Sequence, residues 1–393
     1  MAEADLQITS IISKREWQEE QLFFEGDPYY SELCSALSSA CKSIELEVYI
    51  FDNDPIGEMI CEQLERAAGR GVVVRVLVDG FGSPNWYSTF GSRLERAGAA
   101  VRIYRELPWR RILSGRWHEV SKFSLSALLG RMNRRNHRKV CIFDQRTALV
   151  GSFNIAACHS AEISGESAWR DTAVKVSGGA VVDLLRAFNT AFGPTSGRYI
   201  EKIKAWYKGR RGYTDGLVRL NITRRMRRSN YGELLKRIRR AKSRVWIETA
   251  YFAPKLSLIR ALKAAARKGA DVRLLVPHNS DVFFMPIITS AYYESLLKGQ
   301  VRVYEYLPRM LHAKSVLIDD WAMVGSTNLN HRSLLHDLEV DVVLSSEESI
   351  RTLADQTLED LNNCVEITKQ NWKGAPFWKR IVGALLYKFR NWL

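Results

Sequence analysis

The sequence predicts an α/β protein in which one strand-and-helix unit is written twice. Three observations carry that expectation. Four segments recur in the same order in the two halves, strand-like and helix-like patterns alternate within each half, and each half closes its series on a His-x-Lys pattern. Of 393 residues, 46% are hydrophobic and 26% charged, which suits a chain with a sizeable core and not a disordered one.

Each half opens on a helix, about 28–41 and about 229–241. The first recurrence follows, CKSIELEVYIF (41–51) and AKSRVWIETAYF (241–252), each with an acidic residue, Glu47 and Glu248, inside a β-rich run. A helix comes next; in GEMICEQLERAAGRG apolar residues fall at i, i+3 and i+4. Then come an apolar strand, in AAGRGVVVRVLVD (67–79) and AAARKGADVRLLVP (264–277), another helix, and a short strand, in AVRIYRE (100–106) and QVRVYEY (300–306). The last pair is NHRKVCIFD (136–144) and LHAKSVLID (311–319). Strands of this apolar, β-branched kind alternating with helices indicate sheets covered on both faces.

The halves differ in length at one point. Tyr104 and His137 are 33 residues apart, whereas Tyr304 and His312 are 8 apart. The first half therefore carries an insertion at 105–136 that mixes Arg with Trp, Leu and Phe. The expected organisation is an N-terminal lobe (1–194), a basic Gly- and Pro-punctuated linker (195–215), a C-terminal lobe (216–375) and a terminal amphipathic helix (376–393). That helix reads either as a segment packed on the core or, from its tryptophans and basic residues, as an interfacial membrane helix.

The 58 Lys and Arg against 43 Asp and Glu leave a net charge of +15, which favours polyanionic partners, nucleic acid or an anionic membrane surface. The six cysteines form no C-x-x-C, so neither a zinc site nor a redox pair is indicated, and a reducing compartment is expected. No apolar run is long enough for a spanning helix, and the acidic N-terminus does not read as a signal peptide. Histidines 118, 159, 278, 331 and 336 show no metal spacing and are expected at the surface or in capping roles.

The chemistry lies in two constellations. The first is His137-x-Lys139-x4-Asp144-x6-Gly151-Ser152-x-Asn154; the second is His312-x-Lys314-x4-Asp319-x5-Gly325-Ser326-x-Asn328. Residues i and i+2 of a strand share a face, so each His and Lys point into one site, and the G-S-x-N turn can return a hydroxyl and an amide beside them. A neutral imidazole can attack phosphorus. A second, protonated, can serve the leaving alkoxide and then act as base for the acceptor. Lysines and asparagines can stabilise charge on the non-bridging oxygens in place of a metal. Each imidazole also needs an orienting partner, and Asp171 and Glu339 stand 34 and 27 residues after their respective histidines; the orienting role is the favoured reading, and a strand-entry residue in an ordinary salt bridge is the alternative. Glu47 and Glu248 read equally as functional groups or as members of buried networks.

HRKVCIFD…GSFN and HAKSVLID…GSTN resemble the paired HKD signatures of the phospholipase D superfamily, over nearly the whole chain. VLVDGFGS (76–83), the basic stretch before the first motif and WRDTAVKVSG (169–178) are most similar to bacterial cardiolipin synthases. The resemblance implies a duplicated phospholipase D-like fold, two α/β/α sandwich lobes related by a pseudo-two-fold axis around one shared active site. It also implies a phosphohistidine on His137, no metal and no other cofactor. The expected catalytic set is His137, Lys139, Asp144, His312, Lys314 and Asp319, although the family's motif aspartates are more often structural. Ser152, Asn154, Ser326 and Asn328 are expected to bind phosphate, and Asp171 and Glu339 to orient the histidines. The implied activity is transfer of a phosphatidyl group from phosphatidylglycerol to a second phosphatidylglycerol. Alternatives are hydrolysis to phosphatidic acid, a nuclease of the same superfamily, or a non-enzymatic membrane scaffold. The expected partners are an anionic phospholipid and a membrane surface rather than nucleic acid, and the expected location is peripheral or monotopic on the cytoplasmic face of a bacterial inner membrane. The second motif has one residue fewer between Asp319 and Gly325, which either shortens a turn or shifts the register of Ser326 and Asn328.

Overall fold

A computed structural model describes residues 17–106, 134–193 and 216–373. Most of the 105–136 insertion, the 195–215 linker and the 376–393 segment therefore lie outside the described residues.

In the first half, β1 (Glu19–Phe23), helix α1 (Gly26–Ser39), β2 (Ser43–Val48), helix α2 (Pro55–Gly69), β3 (Val73–Asp79) and β4 (Ala100–Tyr104) are followed by β5 (Val140–Phe143), β6 (Thr147–Gly151), β7 (Ala173–Ser177) and helix α3 (Val181–Phe192). The second half runs β8 (Val218–Leu220), α4 (Arg224–Arg240), β9 (Arg244–Thr249), α5 (Leu256–Arg267), β10 (Asp271–Pro277), β11 (Arg302–Tyr306), β12 (Lys314–Ile318), β13 (Trp321–Gly325), β14 (Val340–Leu344), α6 (Glu347–Asn362) and β15 (Cys364–Ile367). The sheets have the orders β1-β7-β6-β5-β2-β3-β4 and β15-β11-β10-β9-β12-β13-β14-β8. Reversing the first reproduces the second, apart from β15, which pairs antiparallel with β11 at the edge. The duplication thus extends to β1 and β8, short edge strands for which the sequence offered no recurring pattern.

Local chemistry explains the recurring helices. Asp54 caps α2 by accepting the Gly57 N–H at 2.8 Å, with Pro55 in the first turn. Ile56, Ile60 and Leu64 bury one face of α2, and Leu258 and Leu262 do so in α5. Gly71 and Gly269 then take φ of 86° and 98°, a left-handed conformation that stops each helix at little steric cost. Helix α4 starts earlier than expected, because the Thr223 hydroxyl accepts the Met226 N–H at 3.2 Å and carries the helix through RRMRR, where no apolar period announces it.

Among the described residues, burial divides among two large outer cores, one between the sheets and a small cluster around Leu275, Tyr304 and Leu311. The inner core joins Leu77, Val140, Ile142 and Val174 of the first sheet to Trp246, Leu317, Val324 and Val340 of the second, with Phe188 of α3 and Leu353 of α6 packed in. At about 1.5–3 kcal/mol per buried large apolar side chain, this shared layer is a strong constraint on how the halves meet. Among the described residues, no helix is long and apolar enough to cross a membrane. All six cysteines are free; Cys61 and Cys141 are buried and Cys41 is exposed.

The missing residue of the second motif shortens a turn. Phe143 pairs with Thr147 across a three-residue turn, and Ile318 pairs with Trp321 across a two-residue one. Beyond the turns the halves come back into step: the Ser152 N–H donates to Thr172 O and the Ser326 N–H to Val340 O, both at 2.9 Å.

Candidate active site

The two motif strands are brought together by backbone pairing across the halves. Asn136 bridges Leu338, and Leu311 bridges Arg170. The His137 N–H donates to Leu338 O at 2.9 Å and the His312 N–H to Arg170 O at 2.7 Å. In each case the residue before a catalytic histidine meets the residue before the other half's acid, which is the local form of the pseudo-two-fold axis.

The carboxylates are therefore exchanged. His137 Nδ1 lies 3.1 Å from Glu339 Oε2, and His312 Nδ1 lies 2.6 Å from Asp171 Oδ1. Asp171 and Glu339 do contact the histidines, but the expected pairing of each acid with the histidine of its own half is wrong. Neither half holds both a motif histidine and the carboxylate that engages it. With each Nδ1 engaged, the Nε2 atoms are the ones left for chemistry, and both rings line a single cleft of 520 Å³ that Asn154 and Asn328 also line.

The lysines lie behind the imidazoles, 2–3% exposed. Lys139 Nζ donates to the carbonyl of His137 at 2.8 Å, and Lys314 Nζ donates to that of His312. Burial and the nearby Lys314 push Lys139 down to about 7, and burial pushes Lys314 down to about 8 against the pull of Asp171 and Glu339. Burial, Lys139 and Lys314 hold His137 well below its usual value; burial and Lys314 lower His312 to about 3, opposed by Asp171. An anionic phosphodiester would offset this concentration of positive charge. Asn154 Oδ1 accepts the Ile50 N–H at 3.3 Å, which leaves its amide hydrogens as donors.

Four expected site residues have other work. Asp144 and Asp319 sit in the hairpin turns with φ of 49°, roughly 15 Å along the strand from the motif lysines. Asp144 accepts the N–H groups of Cys41, Lys42 and Ser43; Asp319 accepts those of Lys242, Ser243 and Arg244. They fasten each turn to the strand beside it and do not reach the cleft, so their assignment as catalytic is corrected. Ser152 and Ser326 are fully buried. Ser152 Oγ donates to Thr172 O and accepts the Thr172 N–H, while Ser326 Oγ donates to Glu339 Oε2 at 2.5 Å and accepts the Val340 N–H. Their hydroxyls are used within the fold and are not phosphate ligands, so that assignment is corrected too. Glu47 and Glu248 are buried network members: Glu47 accepts from Asn136 Nδ2 at 2.7 Å and pairs with Arg138, and Glu248 accepts from Ser315 Oγ at 2.8 Å.

Other residues at the site were not foreseen. His159, expected at the surface or in a cap, is fully buried with Nδ1 2.7 Å from Asp171 Oδ2. Tyr49 and Tyr251 hold matching places, their rings 4.9 and 6.4 Å from those of His137 and His312; their recurrence in VYIF and TAYF was the available signal. Asn330, without an explanation from sequence, caps the helix His331–Leu335 by accepting the Ser333 N–H at 2.8 Å. His159, Asp171 and His312 are also the one set among the described residues whose ligand atoms lie close enough for a metal ion. Each histidine Nδ1 meets a different oxygen of the Asp171 carboxylate, at 2.7 and 2.6 Å, which is hydrogen-bond distance, so the set reads as a hydrogen-bonded cluster.

The arrangement presents two imidazoles on buried acids and two amides to one cleft, with two buried lysines behind them. It can form and break a phosphorus–nitrogen bond, with proton transfer on the opposite side of the phosphorus.

The family pattern described as "Cardiolipin synthase, PLD-like domain" matches residues 33–177 and 234–361. Cardiolipin synthase B of Salmonella typhi is 32% identical over 385 residues, covering 95% of this chain and 88% of that protein. Cardiolipin synthase B of Escherichia coli K12 is 30% identical over 387 residues, covering 96% and 89%. Among solved structures, phosphatidylserine synthase of Haemophilus influenzae superposes with a TM-score of 0.67 at 13% identity, covering 99% of this chain and 98% of that one, a likeness of fold.

Proposed function

Because the chain belongs to the phospholipase D-like cardiolipin synthase family, we propose that it transfers a phosphatidyl group from one phosphatidylglycerol to a second, releasing glycerol and forming cardiolipin. The observation that carries this reading is the exchanged pair of carboxylates, which leaves both imidazoles facing one cleft with Nδ1 engaged.

His137 Nε2 attacks phosphorus, and the bond from phosphorus to the glycerol headgroup breaks. His312, as imidazolium, gives its proton to the departing oxygen. The headgroup hydroxyl of a second phosphatidylglycerol enters, His312 takes its proton, and the new oxygen displaces His137. Lys139, Lys314, Asn154 and Asn328 stabilise the non-bridging oxygens. Water in place of the second lipid gives phosphatidic acid.

Two features support a lipid at the mouth of the cleft. Phe81 is 53% exposed and lines it, and Phe283, 81% exposed, lies in the loop that supplies Asp281 and Phe284 to it. These loops follow the matching strands β3 and β10, so an apolar ring flanks the cleft on each side. With the net charge of +15, they suit a peripheral enzyme on the anionic cytoplasmic face of a bacterial inner membrane, where the basic 105–136 and 376–393 segments would add contacts. Incubation with phosphatidylglycerol vesicles and mass spectrometry of the products tests the reading. Cardiolipin and glycerol are expected; phosphatidic acid alone would replace the transferase by a hydrolase.

A further inference from the structure

The halves diverge five residues after the motif asparagine, where the first has His159 and the second Ser333. His159 and His312 hold opposite oxygens of Asp171, at 2.7 and 2.6 Å. His159 Nε2 also accepts the backbone N–H of Asn154 at 3.3 Å. An Nε2 that accepts carries no hydrogen, so the neutral ring bears its proton on Nδ1 and donates it to Asp171.

We propose that His159 is a positioning residue for the proton-transferring histidine: it fixes the Asp171 carboxylate so that the other oxygen receives His312 Nδ1–H, and it ties that carboxylate to the phosphate-binding asparagine. The proposal rests on the reading of His312 as acid and base. A carboxylate gripped at both oxygens cannot rotate away from His312, and as an anion it stabilises the imidazolium that must protonate the leaving oxygen. Burial pushes the Asp171 carboxyl up, but His312 and His159 outweigh it and hold it well below its usual range. At the matching place Ser333, a hydroxyl without a charged form, lies beside Glu339. The other charged or titratable groups facing the cluster are Lys314 and Lys139 of the motif segments, Tyr29 and Tyr30 of α1, Asp52, Asp54 and Cys158 near His159, and Tyr251 and Asp281 on the His312 side. Among the described residues, only the two imidazoles are hydrogen-bonded to the Asp171 carboxylate.

The test compares two donors. Natural phosphatidylglycerol needs its leaving oxygen protonated; a phosphatidyl p-nitrophenyl ester does not. His159→Leu should lower kcat with phosphatidylglycerol roughly 10–100-fold and leave KM within about 3-fold. It should also move the alkaline limb of the kcat profile to lower pH and leave the burst of nitrophenol close to wild type, which also reports a folded site. His159→Asn, which keeps a donor where Nδ1 stood, should recover more of kcat than His159→Gln, whose amide falls nearer Nε2; this comparison stands if the leucine variant does not fold. Equal losses with both donors, or an unmoved pH limb with Asn and Gln alike, would overturn the proposal. A phospho-adduct mapped to His312 in the wild type would instead overturn the role assignment on which it rests.

Discussion

Behind His137 stands Glu339, whose other neighbours are the hydroxyls of Ser326 and Ser333; behind His312 stands Asp171, which accepts from two imidazoles. Burial is nearly complete at both acids. At Glu339 burial prevails over Lys139 and the hydroxyls and pushes the carboxyl up to about 7; at Asp171 the histidines prevail and the group stays ionised. One plan, written twice, thus gives two different electrostatic environments. A partner that is only half charged near neutrality leaves its imidazole neutral, as a nucleophile must be. At His312 the fixed anion opposes the lowering by burial and Lys314, and so works toward the imidazolium that proton transfer requires once an anionic diester offsets the lysines. The difference is what supports the proposed division of roles, with His137 as nucleophile and His312 as the proton carrier.

The largest effects should come from the histidines. His137→Ala should abolish turnover with either phosphatidylglycerol or a p-nitrophenyl donor, since no group replaces the covalent step. His312→Ala should lose about 10²–10⁴-fold with phosphatidylglycerol yet still give a nitrophenol burst. A burst from His137→Ala that is absent in His312→Ala would reverse the roles.

The carboxylates should separate next. Asp171→Asn should reduce kcat by about 10³–10⁴-fold, as expected when an imidazole loses its orienting anion. Glu339→Gln should cost roughly 10-fold, because the native group is already half protonated near neutrality. Equal losses in steady-state assays would mean that the electrostatic difference between the half-sites has no bearing on the reaction.

The lysines sharpen the account through pH. Lys139 and Lys314 are lowered to about 7 and 8 in the empty cleft. They are cations below those values and neutral above them, and an anionic diester binds the cationic form. kcat/KM for phosphatidylglycerol should therefore fall as pH rises beyond about 8, and activity should survive exhaustive chelation because ammonium groups supply the charge. A flat profile to pH 9.5, or loss with EDTA restored by one divalent ion, contradicts this.

The smallest effects on chemistry should come from the turn aspartates. Asp144→Ala or Asp319→Ala removes an acceptor of several backbone N–H groups and should lower stability by about 1–3 kcal/mol in denaturant titrations, with the rate per folded molecule nearly unchanged. Both carboxyls are lowered on folding, by backbone N–H groups that outweigh the cost of burial. Their contribution is present above the ordinary aspartate value of about 4 and is lost as pH falls through the lower folded values. The alanine variants should accordingly lose the part of the wild type's acid destabilisation that these groups cause.

Much of this could be read from the sequence. The repeats carried the duplicated sheet, the motifs named both histidines and both lysines, and the search for orienting acids found Asp171 and Glu339. What escaped depended on the axis between the halves. Spacing along the chain pairs each acid with its own histidine, whereas the bridges Asn136–Leu338 and Leu311–Arg170 exchange them. The motif serines looked like phosphate ligands because the turn returns near the site, but nothing in G-S-x-N says which way a hydroxyl faces. His159 was set aside as a lone histidine without metal spacing. Counting five residues from each motif asparagine would have paired it with Ser333 and marked the point where the halves part.

The central claim, that His137 is the nucleophile and His312 moves the proton, is tested most directly by trapping the intermediate. Wild-type enzyme would be mixed with the p-nitrophenyl donor, quenched within the burst under alkaline conditions that preserve phosphohistidine, digested and mapped by mass spectrometry. The account predicts the phosphatidyl group on His137, with the same adduct accumulating in His312→Ala. An adduct on His312 in the wild type would contradict it.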